Sequence, residues 1–328
     1  ALFIAIQYWV RPGLADWDIL GFYLPWYAHM GESLRAFDIP GWNPYILSGV
    51  PFAGDPQSGW WYFPAMLLFT VFPPVFAFKL LILVQCALAA VCLYIFVRLN
   101  GIRPIAAVTG GLIYGLCQTA GISSCCTIHL QLMPWIPLSL VGVEMALRQK
   151  RWNRSLLWLG LAAFGLSQMA SAWVGQGMYN GFLLVAGYLG FRCLWPPTDS
   201  QWRVQQRIVR GALFSLWAFG LGLAMAAAGV LPRLDAVQRS YVGSDEYQHT
   251  GGLWETTWRW GQSFAVLTQF RWEWFPYYIG GAAATLAVVG MIGQRDRLPI
   301  RFFAVSSLVI VSLTLRTTWV HSIFYLLP

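Results

Sequence analysis

Runs of about twenty apolar residues, each long enough to cross roughly 30 Å of hydrocarbon as a helix, recur along the whole chain. They lie near 75–97, 104–121, 129–147, 155–171, 177–195, 211–231, 276–293 and 301–318, with a shorter stub at 1–10. The expectation is an all-α polytopic membrane protein of about nine transmembrane helices, built as one integral domain over 1–328. With 58% hydrophobic and only 10% charged residues, a soluble domain of this length is excluded. The run WWYFPAMLLFTVF, 60–72, is too short for a comfortable span and is closed by Pro73 and Pro74, so it reads as a re-entrant or interfacial helix. The stub at 1–10 and the end HSIFYLLP, which has no polar exit, read as a fragment of a longer chain, with no signal peptide in view.

This arrangement brings the basic residues into register. Arg98, Arg103, Arg148, Lys150, Arg151, Arg154, Arg192, Arg203, Arg207, Arg210, Arg295, Arg297 and Arg301 fall on one side, thirteen of the 21 lysines and arginines. Only Glu144, Asp199 and Asp296 accompany them, so the positive-inside rule makes that side cytoplasmic. The net charge of +8 is thereby a matter of topology and gives no reason to expect nucleic acid as a partner. The opposite side holds eight basic and ten acidic residues, all four histidines, and two long outer loops, at 11–59 and 232–275. Of the six cysteines, Cys86, Cys92, Cys117 and Cys193 sit in apolar runs and Cys125 and Cys126 are vicinal, so none has metal or redox spacing.

Five acidic residues, Asp16, Asp18, Glu32, Asp38 and Asp55, gather in the first outer loop among Trp26, Trp42, Tyr45 and several prolines. Such a loop reads as an ordered, functional surface packed on the bilayer. Outside the cytoplasm there is no nucleotide sugar to draw on, so an activated donor would arrive as a lipid-linked phosphate. Transfer from a polyprenyl carrier needs a carboxylate to take a proton, a cation for the leaving phosphate and an apolar groove for the lipid. Asp18 and Asp16 are the candidate catalytic acids. Asp55, Arg239, Arg259, His129, Trp42 and Tyr45 are candidate substrate-binding residues, the arginines because a guanidinium pairs with phosphate through two hydrogen bonds. No ligand set for a divalent metal is evident, although Asp16 and Asp18 in DWD spacing could contribute to one.

The pattern DILGFYLPW (18–26) followed by WNPYILSGVPFAGDPQSGWWYFP (42–64) resembles the first outer loop of YfhO-like bacterial membrane proteins, within the GT-C type of membrane-embedded glycosyltransferases. HLQLMPWIPLSLVGVEMALR (129–148), LPRLDAVQRS (231–240) and YYIGGAAATLAVVG (277–290) follow in that family's order. The resemblance implies a multi-pass protein of the bacterial inner membrane with its active face outward, using a polyprenyl-phosphate-linked sugar. It places the family's first-loop acid at Asp18 and a second conspicuous carboxylate at Asp55. Ile19 stands where a second acid often follows, which leaves metal use open. The alternative reading is a non-catalytic scaffold subunit whose partners are membrane lipids and other membrane subunits of a larger complex.

Overall fold

A computed structural model describes residues 18–46, 48–117, 127–197, 203–240, 281–294 and 297–314. The chain divides into two compact units, Ala1–Ser240 and Tyr241–Pro328. In the first, a π-helical turn, Ile19–Tyr23, runs into α1 (Leu24–Arg35). A two-residue hairpin follows, β1 (Trp42–Asn43) antiparallel to β2 (Val50–Pro51). Then come α2 (Phe63–Val71), α3 (Pro74–Leu99), α4 (Pro104–Cys117), α5 (Thr127–Leu132), α6 (Trp135–Arg148), α7 (Trp152–Ala172), α8 (Gln176–Leu194) and α9 (Val204–Gln238). In the second unit α10 (Gly281–Gly293) touches α11 (Leu298–Thr314).

Proline opens many of these helices. Pro25, Pro64, Pro74 and Pro104 sit in the first turns of α1 to α4, where their fixed φ fits and no N–H is needed. The end of α3 is closed by Gly101 at φ 78°: its N–H bonds Arg98 O at 3.0 Å while the Ile102 N–H bonds Val97 O at 3.2 Å. That pair of bonds satisfies carbonyls that the helix end would leave bare.

The described residues form an all-α fold, and among them four segments are long and apolar enough to cross a membrane: Pro74–Leu99, Thr127–Arg148, Trp152–Ala172 and Val204–Gln238. Helices stand at most of the other anticipated positions, but Pro104–Leu116 and Leu298–Ile310 are shorter. The stub at 1–10 lies outside the described residues. The run 60–72 forms the nine-residue α2, too short to span. Gly111 and Gly115 allow α3 and α4 to meet: a Cβ on either would stand 2.6 Å from Ala90 O or Cys86 O.

Two boundaries differ from the sequence reading. The first outer loop contains a helix, because Ile19, Tyr23, Trp26, Tyr27 and Met30 recur at helical spacing and are all buried. The second outer loop does not begin at 232, because α9 continues through Pro232 to Gln238. Residues 241–275 of that loop lie outside the described residues.

Four arginines of the first unit, Arg148, Arg192, Arg207 and Arg210, tie one end of the bundle together. Glu144, fully buried, accepts from Arg148 at 2.6 Å, from Arg192 Nε at 2.9 Å and from the Tyr188 hydroxyl at 2.8 Å. Arg148 also donates to Leu99 O and Arg192 to Asn100 Oδ1, so α3, α6 and α8 end on one carboxylate. Arg207 reaches Leu194 O, and Arg210 reaches Gln149 O.

Two outcomes follow. Glu144→Ala leaves Arg192 buried without its counter-charge and should cost about 3–5 kcal/mol, read as a lowered unfolding midpoint in detergent. Asp38 and Asn153, both exposed, belong to opposite ends of the bundle. In a background without native cysteines, a membrane-impermeant maleimide should therefore label only one of Asp38→Cys and Asn153→Cys in sealed vesicles.

Candidate functional site

At the end of the bundle away from Glu144, the segment after β2 folds into a tight turn. Asp55 Oδ1 accepts the Gln57 N–H at 2.7 Å, and its carbonyl accepts from the Ser58 N–H and hydroxyl at 3.3 and 3.0 Å. This is the local bonding that aspartate and serine favour in turns. Gly54 lets the turn lie against α9, since a Cβ there would stand 2.7 Å from the Ala236 Cβ.

The next residues lock onto α9. Pro232 has no N–H to give to Ala228 O, four residues back. The Trp60 indole N–H takes that carbonyl at 3.1 Å, and the Trp61 indole donates to Met225 O at 2.6 Å. Trp61 holds a left-handed backbone at φ 67°, next to Gly59 at φ 72°. A proline that would ordinarily end or kink a helix is thus accommodated from across the fold.

Arg233, the residue after that proline, is fully buried. Its Nη1 donates to Ala170 O and Ser171 O at 3.2 and 2.7 Å, and its Nη2 to Trp60 O at 2.9 Å. The guanidinium therefore caps the C-terminus of α7, where a positive charge meets the negative end of the helix dipole. Its Nε and the neighbouring Ser171 hydroxyl have no partner among the described residues.

Around this anchor lies a layer of phenols and amides. Tyr23 donates to Gln57 Oε1 at 3.0 Å, which ties the Asp18 helix to the Asp55 turn. Gln131 Nε2 donates to the Tyr27 hydroxyl at 2.7 Å, and Trp135 Nε1 to the Tyr62 hydroxyl at 3.0 Å. The Trp26 and Phe52 rings stack at 5.2 Å. Trp135 also lines an apolar groove of about 630 Å³ with Phe63, Met66, Leu67, Val84 and Phe164. Burial pushes the Asp55 carboxyl above the usual aspartate range, opposed by the Gln57 N–H and by the charge on Arg233. Burial likewise raises the Tyr27 hydroxyl, so that it stays a phenol.

Of the residues singled out in the sequence, Asp55 is half-buried in this turn and Asp18 is exposed at the head of the π-helical turn. Ile19 turns into the core while Leu20 is half exposed, so the apolar neighbours of Asp18 do not enclose it. Trp42 and Tyr45 stand exposed on and beside the hairpin, with His29 Nε2 3.1 Å from Trp42 O and its ring edge-on to Tyr45. His129 is exposed and edge-on to Trp173 at 5.0 Å. Arg239 is exposed and pairs with Asp235 at 2.9 Å. Asp16 and Arg259 lie outside the described residues. Among the described residues no three His, Cys, Asp or Glu side chains gather as metal ligands.

In the sequence Arg233 is one of six arginines in the two outer segments, with Arg11, Arg35, Arg239, Arg259 and Arg271, and nothing there singles out Tyr23, Tyr27 or Gln131 as site residues. The available signal was an arginine directly after a proline within an otherwise apolar run. Arg233→Met should strip three carbonyls of their donor and lower stability by about 3 kcal/mol, and Trp60→Phe by about 1–2 kcal/mol; unfolding midpoints in detergent measure both. Compared with protein-family models, with curated proteins and with solved structures, the chain matches none.

Proposed function

We propose that this chain is a membrane-embedded glycosyltransferase of the GT-C type, moving a sugar from a polyprenyl-phosphate donor to an acceptor at the outer face of a bacterial cytoplasmic membrane. The full topology would be nine spans, with the Glu144 end in the cytoplasm and the Asp55 turn outside. The observation that carries the reading is the position of a half-buried carboxylate turn at the same bundle end as an apolar groove. Trp135 belongs to the groove wall and, through Tyr62, to the polar layer beneath the turn. A lipid chain would lie in this groove, with its phosphate emerging at the polar layer.

In this reading Asp18, exposed to an arriving acceptor, takes the hydroxyl proton as general base, with Asp16 its nearest rival. Asp55 is the second carboxylate, holding the acceptor. The donor phosphate falls to arginines not already engaged. Arg35 donates to Phe69 O and Thr70 O, Arg233 to its three carbonyls and Arg239 to Asp235. Arg259, which lies outside the described residues, stays a candidate on sequence grounds alone, beside Arg239. The same engagement of cations favours the second reading, a scaffold subunit that keeps the fold without the chemistry.

Purified protein incubated with polyprenyl-phosphate sugars separates the two. Asp18→Asn should lower transfer by about 10²–10⁴-fold with expression unchanged. Activity retained in Asp18→Asn but lost in Asp16→Asn moves the base to Asp16. Absence of transfer by the wild type, together with stoichiometric co-purification of other membrane subunits, selects the scaffold. A pH profile tests Asp55: because its folded pKa is raised, it stays protonated to a higher pH than an exposed aspartate. An ionised Asp55 is thus reached only on the alkaline side of that range, and binding of the acceptor should strengthen as pH rises through it. In Asp55→Asn the acceptor KM should lose this dependence.

A further inference from the structure

The end of the bundle held by Glu144 has one carboxylate among the described residues of the first unit, and Arg148 and Arg192 already neutralise it. Beyond that knot, three cations have no counter-charge among the described residues. Lys150, Arg151 and Arg154, in the turn between α6 and α7 and the first turn of α7, are all exposed. None of the three forms an ion pair among the described residues. Arg210 of α9 donates to Gln149 O, and the Trp152 ring lies 5.3 Å from Phe214, so this turn is held against the start of α9. Exposed Arg203 adds a further charge at the head of that helix.

The chemistry changes within one helical turn. Trp152 is 47% exposed, and Leu157, on the same face of α7 as Arg154, is 77% exposed. Val204 and Ile208 of α9 are more than half exposed. A cluster of cations, an amphipathic ring and then an aliphatic flank is the order of groups met on passing from a phosphate headgroup into acyl chain. A soluble anion or an acidic peptide would leave the aliphatic flank unused.

We propose that residues 150–154 bind the phosphate of an anionic phospholipid from the leaflet surrounding this end of the bundle, with an acyl chain running past Leu157. The site is independent of the glycosyltransferase reading and is built by residues that take no part in it. Arginine supplies paired donors to the phosphate oxygens, and Lys150 adds a point charge.

The test uses the full chain in nanodiscs of phosphatidylcholine with and without phosphatidylglycerol, read by thermal unfolding midpoint and by lipids retained in native mass spectrometry. Wild type should gain stability from phosphatidylglycerol and retain it in the spectrometer. The variant Lys150→Gln/Arg151→Gln/Arg154→Gln should bind it about tenfold or more weakly. Arg151→Lys/Arg154→Lys should keep most of the effect. The quantity compared is the lipid-dependent difference within each variant, so a shift in baseline stability does not obscure the result. An equal phosphatidylglycerol effect in wild type and triple variant overturns the proposal. So does inorganic phosphate reproducing the wild-type gain in phosphatidylcholine discs, which would mark an anion site without lipid.

Discussion

One buried guanidinium organises the end of the bundle where the candidate site lies. Arg233 carries a charge into a region from which water is excluded, a placement that is unfavourable unless its donors are answered; both Nη groups are, while Nε has no partner among the described residues. The answers are main-chain carbonyls: two from the last turn of α7 and one from the bend at Trp60. Because those carbonyls belong to two separate segments, satisfying the arginine fixes where the bend sits relative to α7 and α9. The Asp55 turn, two residues of hairpin and the start of α2 inherit their positions from it. Asp55 is near enough to Arg233 to feel its charge but makes no direct ion pair with it. One of its carboxyl oxygens is held by the Gln57 N–H instead.

The opposite end solves a similar problem with side chains. There a single glutamate gathers two arginines and a tyrosine, joining helices that are far apart in sequence. The two ends differ in what they leave over. Among the described residues, cations outnumber the one carboxylate at the Glu144 end and Lys150, Arg151 and Arg154 lie exposed; at the Asp55 end the arginines are engaged, and Asp18 is exposed and Asp55 half-buried. A chain with this polarity presents distinct chemistry to the two faces of a membrane.

Much of the helical framework was legible because its signals are local. Apolar runs marked α3 and α4, and the paired prolines after Phe72 marked α2 as too short to cross. What escaped was set by partners remote in sequence or by the rotation of a helix. Glu32 and Asp38 gave the first loop a polar look that hid the buried stripe Ile19, Tyr23, Trp26, Met30. Pro232 read as a helix boundary because the donor that replaces its missing N–H, the Trp60 indole, is 168 residues away. Asp18 is followed in sequence by the apolar Ile19 and Leu20, but helical geometry sends Ile19 inward and Leu20 outward, so its exposure is not legible from that run. The candidate site was legible in its Asp55 turn, whose DPQS sequence announces itself, and not in the arginine that positions it.

The span of the Trp60–Arg233 contact, 173 residues, also bears on how the protein is made. At roughly 5–20 residues per second of synthesis, the bend at Trp60 emerges some ten to thirty seconds before the arginine that secures it. During that interval the Asp55 turn lacks the face of α9 against which Gly54 packs, and the indoles of Trp60 and Trp61 have no carbonyls on α9 to meet. Insertion of α9 is then the event that converts a set of membrane helices into a structured end, so the site is completed only after seven earlier helices, α2 to α8, have been laid down.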